Sequence, residues 1–185
     1  IRDADENVTA TVDSLRPEGS EEADEELYEF SSAARFCKDD WEVEQLRDAC
    51  LKSKVGFESM IAEIPEAVRK GRGERWMEGT FGRVARHLGN EVGYGSICAA
   101  GDHANTLHWV RNDGDLRPGE LILIDAGVEV DSLYTADITR TLPISGTFSP
   151  AQRRVYQAVL EAQDAAAAVA KVGHDHAEIH QAAIR

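Results

Sequence analysis

The hydrophobic pattern of the first half of the chain predicts two long helices. From residue 38 to residue 64, apolar side chains recur at spacings of three and four, which is typical of an amphipathic helix. These side chains are Trp41, Val43, Leu46, Ala49, Cys50, Val55, Phe57, Met60, Ile61 and Ile64. Asp39 or Asp40 can cap the start of this helix, and Pro65, followed by Gly71 and Gly73, marks its end. The same spacing predicts a second helix over residues 73–88, which Gly89 stops.

The pattern changes after Gly89. Residues 92–110 are rich in glycine, β-branched and aromatic residues, so we expect short strands joined by a turn near Gly101 and Asp102. Residues 112–120 have the composition of a turn. The segment 120-ELILIDAGVEVDSLYTADITRTL-142 then predicts a hairpin. The first two thirds of the chain are therefore expected to combine helices with short strands.

The end of the chain predicts two further helices. Ser149 and Pro150 favour a helix start, and the alanine-rich run after them predicts a helix as far as Gly173. Another helix is expected after Asp175, and the sequence ends inside it. We therefore expect a truncated chain, in which residues 37–185 form one domain. Residues 1–36 would be an acidic connector or the tail of an upstream domain.

Charge and composition narrow the classes of function. The net charge is −14, and residues 1–30 contain eleven acidic side chains against two arginines. The cluster 21-EEADEE-26 is interpreted as solvated surface. Such a chain is a poor partner for nucleic acid, whose phosphates need clustered lysine and arginine. The sequence also lacks a long apolar run and a signal-peptide pattern, and its three cysteines are scattered, so we expect a cytoplasmic protein with reduced thiols.

Two aspartates in the predicted hairpin are the main candidates for chemistry. A carboxylate such as Asp125 at the end of a buried strand is unfavourable unless a cation meets it. If the turn were residues 130–132, Asp125 would lie directly opposite Asp137 on one face of the sheet. One carboxylate would then be protonated, or a cation would lie between them. The alternative is that Asp125 begins a loop and Asp137 pairs with Arg140 or another basic side chain.

The residues around these aspartates suit a metal site. Gly127 would leave room for a ligand, and the apolar residues 121–124 would form a rigid wall that excludes water. Thr139 and Thr141 share the face of Asp137 and could hydrogen-bond ligand oxygens. Oxygen ligands favour Mn²⁺, Mg²⁺ or Co²⁺, and Zn²⁺ becomes an option where histidine joins them.

Other histidines are weaker candidates. His176 and His180 have the spacing of a helical zinc site, but no third ligand is apparent, so a solvated helix start is the simpler interpretation. Asp102 and His103 lie in the predicted glycine turn. They either form that turn or line a substrate pocket near His108.

Two segments resemble a known family. The string 122-ILIDAGVEVDSLYTADITRTLPISGTFSPAQRRVYQAVLEAQDAA-166, together with 105-NTLHW-109, resembles the pita-bread metallopeptidases. The resemblance is closest to aminopeptidase P, the Xaa-Pro aminopeptidases, with prolidase next, and it runs from about Lys38 to the C-terminus. It implies an α/β protein of the α+β type, the N-terminal half of a pita-bread catalytic domain, with helices packed on a mostly antiparallel sheet. The spacing between Asp125 and Asp137 is one residue longer than in the commonest members, which predicts a larger turn or a bulge around Asp131.

The resemblance also implies an activity and its residues. Asp125 and Asp137 match two of five ligands to a pair of divalent ions, for which we expect Mn²⁺, with Co²⁺ or Zn²⁺ as alternatives. His108 matches an active-site histidine outside the metal ligands. The family cleaves the peptide bond before a penultimate proline, and peptides of this kind are the expected substrates.

The same resemblance limits what the chain alone can do. The other three ligands would follow residue 185, so we expect the fragment to be inactive and the whole protein to be a homo-oligomeric aminopeptidase. A dipeptidase for Xaa-Pro and a non-catalytic binding module of the same fold stay open.

Overall fold

The computed structural model describes residues 5–16 and 21–184. The chain divides into two compact units, one that ends at Asp48 and one that begins at Ala49. Each unit is treated below by itself. No helix in the described ranges is both long and apolar enough to cross a membrane.

The first unit contains two helices in the region that was expected to be a connector. Helix α1 spans Glu6–Leu15, and helix α2 spans Glu21–Phe36. Asp5 caps α1 by accepting hydrogen bonds from the backbone of Asn7 and Val8. Acidic side chains fill the first turn of α2, where they interact favourably with the helix dipole. Neither helix has a buried residue. The connector assignment remains a prediction, and its residues 1–4 and 17–20 lie outside the described residues.

Helix α3 spans Asp40–Lys70 and is longer than its sequence pattern predicted. Asp39 caps this helix as expected. Its side chain accepts from the backbone amide of Glu42 at 2.8 Å, and the Glu42 side chain accepts from the backbone amide of Asp39 at 2.7 Å. Of the residues expected to mark its end, Pro65 does not stop the helix. Proline frees only the carbonyl four residues earlier, on Ile61, and both residues are exposed, so water can bond that carbonyl. The helix ends at Lys70, directly before Gly71, whose φ of +75° is left-handed.

Helix α4 spans Gly73–Leu88, as predicted, and Gly89 follows it. Its buried face includes Met77 and Phe81, which pack with Phe57 and Met60 of α3. The Phe57 and Phe81 rings meet edge to face with centroids 5.9 Å apart. These helices thus provide one side of the core of the second unit.

Five short strands form two antiparallel sheets in the second unit. The strands are β1 (Glu91–Val92), β2 (Ile97–Ala100), β3 (Leu121–Ala126), β4 (Val128–Glu129) and β5 (Ile138–Pro143). One sheet has the order β2-β3-β5, and the other pairs β1 with β4. Ile122 and Ile124 of β3 are fully buried against the helices. The predicted combination of helices with an antiparallel sheet is confirmed.

The expectation of short strands joined by a turn near Gly101 is correct only for the strand before it, because β2 ends at Ala100 and the next strand begins at Leu121. A 3₁₀ helix spans Gly101–Asn105, and residues 106–120 contain no helix or strand. Strand β2 pairs with β3 instead of with a neighbouring segment. On its other edge, β2 is hydrogen-bonded by a side chain. The buried Asn112 side chain accepts from the Cys98 backbone amide at 2.9 Å and donates to the Ser96 carbonyl at 2.8 Å.

Helices α5 (Pro150–Val169) and α6 (His176–Ala183) complete the chain. Ser149 caps α5 in a capping box with Gln152, as the sequence predicted. The helix ends at Val169, before the predicted stop at Gly173. Asp175 caps α6 and forms a second capping box with Glu178.

Candidate metal and peptide site

One cavity brings together the three residues that the sequence singled out. It has a volume of about 360 Å³ and is lined by Tyr94, Gly95, Ile97, His108, Val110, Asp125 and Asp137. Asp125 is half-buried at the end of β3, and Asp137 is exposed directly before β5. The ligand and catalytic roles assigned to these residues remain predictions, but the residues do face the same space.

The pairing of the two aspartates differs from the expectation. Asp125 lies opposite Thr139, not opposite Asp137. The turn is formed by residues 131–133, because the Val130 amide bonds the Tyr134 carbonyl across it at 2.9 Å. The turn therefore lies one residue later in the chain than predicted, and the residue opposite Asp125 lies two residues later than predicted. Since side chains alternate along a strand, a shift of two keeps both carboxylates on one face.

Tyr94 joins the two carboxylates, and the sequence analysis did not identify it. Its hydroxyl lies 2.5 Å from Oδ1 of Asp125 and 3.2 Å from Oδ1 of Asp137. One hydroxyl hydrogen can serve either oxygen, so Tyr94 donates to the pair. Gly93 and Gly95 flank this tyrosine, and an aromatic hydroxyl between two glycines was the available signal.

An insertion in the sheet directs Tyr94 towards the cavity. Val92 pairs with Val128, and Ile97 pairs with Asp125. The segment from Val92 to Ile97 therefore has two more residues than the opposite segment from Asp125 to Val128. Such an insertion bends the strand and redirects a side chain. The pKa of the Tyr94 hydroxyl is raised well above its ordinary value. Burial is the largest cause, and the hydrogen bond to Asp125 and the charge of Asp125 add to it. Tyr94 is therefore a neutral donor at physiological pH.

The two threonines of β5 have different surroundings. The Thr139 hydroxyl donates to Oδ2 of Asp125 at 2.7 Å, as the sequence analysis expected. Thr141 lies opposite Leu123, and no hydrogen bond from it to Asp125 or Asp137 occurs among the described residues. Only Thr139 therefore helps to orient the carboxylate of Asp125.

Gly127 does not leave space for a ligand, contrary to the expectation. A Cβ atom built on it would lie 1.5 Å from the carbonyl oxygen of Ala136 and 3.3 Å from the ring of Tyr94. The glycine is required because the opposite backbone and the tyrosine ring both approach it closely. It supports the site indirectly, by allowing β3 and β5 to stay paired next to Asp137.

The carboxylate pair lacks a protein cation among the residues that the structure describes. The alternative pairing of Asp137 with Arg140 is wrong, because Arg140 donates to the Thr139 carbonyl at 2.7 Å. Neither Asp125 nor Asp137 forms an ion pair within the described ranges. Two negative groups that share a neutral donor have the charge and the hard oxygen atoms that divalent ions favour. The residues present therefore fit a metal site.

His108 reaches this cavity from an irregular segment. Its backbone is left-handed, with a φ of +54°, and its side chain is exposed. His103 does not line the cavity. It stacks on Trp109 with ring centroids 4.0 Å apart and bonds to Glu74, so its role in a folded turn is the correct one of the two interpretations.

The histidines of α6 remain solvated. His176 and His180 are both exposed, and no third potential ligand joins them in the part of the chain that the structure describes. His174 hydrogen-bonds to Glu178 at 2.7 Å, and this hydrogen bond lowers the pKa of the Glu178 carboxyl. The simpler interpretation of this region, a solvated helix start, agrees with this geometry.

Comparison with known proteins identifies the family. Residues 44–185 match the model of metallopeptidase family M24. The chain belongs to this family. M24 is a metallopeptidase family, which implies divalent metal ions.

Similar proteins agree with the assignment to M24. Xaa-Pro aminopeptidase 2 of Streptomyces coelicolor is 55% identical over 165 residues, which are 89% of this chain and 35% of that protein. Aminopeptidase PepP of Pseudomonas aeruginosa superposes with a TM-score of 0.74 at 38% sequence identity. Zinc-substituted aminopeptidase P of E. coli, solved with product, superposes with a TM-score of 0.71 at 30% sequence identity. Each superposition covers 82% of this chain and 33% of the other.

Two conclusions follow from these comparisons. The predicted pita-bread fold is confirmed, because the aminopeptidase P structures have this architecture. The chain also spans only about a third of the length of the relatives that it matches.

Proposed function

We propose that the whole protein is a metal-dependent Xaa-Pro aminopeptidase, which releases the N-terminal residue from peptides with proline in second position. The convergence of Asp125, Asp137 and His108 on one cavity carries this proposal. It is supported by relatives named Xaa-Pro aminopeptidase at 51–55% identity. A dipeptidase that acts on Xaa-Pro is the closest alternative, since it needs the same chemistry.

We propose that Asp125 and Asp137 hold two divalent ions, with Mn²⁺ as the preferred metal and Co²⁺ or Zn²⁺ as substitutes. When bound, such ions polarise a peptide carbonyl and lower the pKa of a bound water. Tyr94 and Thr139 orient the carboxylates through their hydroxyl hydrogens. Carboxylates that are oriented before the metal arrives lose less conformational entropy on binding.

His108 would act on the substrate. In this proposal a ring N–H of His108 donates to the carbonyl oxygen of the bond that is cleaved, where negative charge develops. The apolar side chains of Ile97 and Val110 line the same cavity and limit the access of water to the peptide.

The remaining features of the function rest on the whole protein. We propose that the other metal ligands lie outside this chain, so that the chain alone has no activity and binds metal weakly. A cytoplasmic location and a homo-oligomeric state are proposed for the whole protein as well.

The test uses the whole enzyme with Mn²⁺ and a peptide that has proline in second position. We expect hydrolysis, and we expect Asp137→Asn to abolish it because the amide removes the negative charge that holds the ions. Asp131→Asn is the matched control, since Asp131 is an exposed aspartate in the neighbouring turn. Unchanged turnover in Asp137→Asn would refute the assigned role.

A second variant tests His108. His108→Ala is expected to lower turnover while the metal content, measured by elemental analysis, stays the same. A loss of metal in this variant would mean that His108 is a ligand. Hydrolysis of dipeptides alone would favour the dipeptidase, and peptide binding without hydrolysis would favour a binding module.

A further inference from the structure

Glu74 is a fully buried carboxylate away from the metal site. It lies in the first turn of α4, and its side chain has no exposed surface. Four hydrogen-bond donors converge on it. Its Oε1 accepts from the Ala100 amide at 2.8 Å and from Nδ1 of His103 at 2.8 Å, and its Oε2 accepts from Nε1 of Trp109 at 3.0 Å and from the Gly114 amide at 2.7 Å.

This cluster is a hydrogen-bond network and not a second metal site. Potential ligand atoms of Glu74, His103 and Asp113 lie within 4.8 Å of one another. Both oxygens of Glu74 already accept two hydrogen bonds, however, and these satisfy a buried carboxylate. Asp113 is exposed and pairs with Arg111 at 3.0 Å. A metal would have to displace donors that the protein supplies.

The four donors all belong to residues 100–114, the segment that carries His108. Ala100 and Gly114 are its two ends, and Trp109 is the direct neighbour of His108. Residues 106–120 have no helix or strand, so no backbone ladder fixes them. The Glu74 carboxylate therefore holds this segment in place by hydrogen bonds, as a neighbouring strand would hold a strand in a sheet.

The packing around Glu74 leaves little freedom. The His103 and Trp109 rings are stacked at an interplanar angle of 28°. A Cβ atom on Gly114 would lie 2.8 Å from the His103 ring and 2.9 Å from the Glu74 carboxyl carbon, so only glycine fits there. The segment is thus held at both ends and in the middle, with His108 between the anchors.

We propose that Glu74 is a positioning residue for His108, which it holds at the metal cavity by ordering residues 100–114. This inference rests on the proposed function, because it takes His108 to be the group that contacts the substrate. Glu74 itself touches neither cavity nor substrate. Its effect on turnover is therefore indirect, and we expect it to act through the position of His108.

The first experiment replaces Glu74 by glutamine in the whole enzyme. Glutamine has the same shape, but its NH₂ group cannot accept the two hydrogen bonds made to one carboxylate oxygen. We expect kcat to fall by about 10- to 100-fold, since small displacements of a catalytic group have effects of this size. Metal content should not change. Glu63→Gln is the matched control, because Glu63 is a half-buried glutamate that accepts from Nε1 of Trp76 at 3.0 Å, and among the described residues it forms no hydrogen bond to residues 100–114.

The second experiment separates positioning from a general loss of structure. In a His108→Ala background, Glu74→Gln should cause no further loss of turnover, because the group that it positions is gone. An equal loss in both backgrounds would overturn the inference while leaving the proposed function intact. Unchanged kcat in Glu74→Gln would do the same. If His108→Ala alone had no effect, the proposed role of His108 and this inference would both be wrong.

A third measurement does not depend on activity. Hydrogen exchange of the amides in residues 100–114 should become faster in Glu74→Gln and stay unchanged in Glu63→Gln; equal exchange in both variants would overturn the inference. If Glu74→Gln does not fold, Trp109→Phe replaces it. This variant keeps the ring stack on His103 and removes one of the four donors. It should lower kcat by a smaller factor, and again only when His108 is present.

Discussion

The hydroxyl of Tyr94 lies 2.5 Å from Oδ1 of Asp125, although 31 residues separate them in the chain. The same hydroxyl reaches Asp137, so two carboxylates that would repel each other share one neutral donor. A donor of this kind orients carboxylates without neutralising them. The charge therefore remains available for divalent ions, and the predictions below depend on how well the supporting residues keep that arrangement.

Removal of the Thr139 hydroxyl should weaken metal binding. Thr139→Val keeps the shape of the side chain but deletes the hydrogen bond to Oδ2 of Asp125. Loss of a group that orients a metal ligand typically raises the dissociation constant by about 10- to 100-fold. We expect this range for Mn²⁺ in the whole enzyme, measured by calorimetry. Thr141→Val is the control on the same strand, and a similar loss of affinity in both variants would contradict the prediction.

An added methyl group at Gly127 should destabilise the sheet. In Gly127→Ala the new Cβ would meet the Ala136 carbonyl at 1.5 Å, so the backbone must move. We expect the free energy of unfolding to fall by about 3 kcal/mol or more, at the upper end of overpacking effects. The measurement is urea denaturation.

The control for this substitution is Gly79→Ala. Gly79 is exposed within α4, and a Cβ atom there would meet nothing within 4 Å. This change should stabilise the protein by about 0.5–1 kcal/mol, because alanine loses less backbone entropy in a helix than glycine does. A Gly127→Ala variant as stable as Gly79→Ala would show that the strands are not closely paired at this point.

The buried thiol of Cys98 should make stability depend on alkaline pH. Cys98 is fully buried, and burial raises the pKa of its thiol well above the ordinary value. The unfolded chain loses this proton above pH about 8.5, whereas the folded chain keeps it. Its contribution to stability is therefore complete below that pH and is lost as the pH rises, by up to about 1.4 kcal/mol per pH unit.

The comparison of two cysteine variants tests this dependence between pH 8.5 and 10. Cys98→Ala should flatten the decrease in the free energy of unfolding. Cys50→Ala is the control, because that thiol is exposed, and it should leave the decrease unchanged. Equal pH profiles for the two variants would show that Cys98 is not the group responsible.

The sequence by itself determined the local structure of this protein. Apolar spacing and capping residues such as Asp39, Ser149 and Asp175 predicted where helices begin, because these signals act within a few residues. The apolar run before Asp125 predicted β3 for the same reason. The motifs around Asp125 and Asp137 were sufficient to suggest the family.

Only the tertiary structure decided how these parts meet. A shift of one residue in the turn changed the partner of Asp125 from Asp137 to Thr139, and only pairing across the sheet reveals such a shift. Tyr94 and Glu74 escaped sequence analysis because their partners lie about 30–40 residues away. Contacts over that distance depend on how strands and helices pack, and periodicity and capping contain no information about such packing.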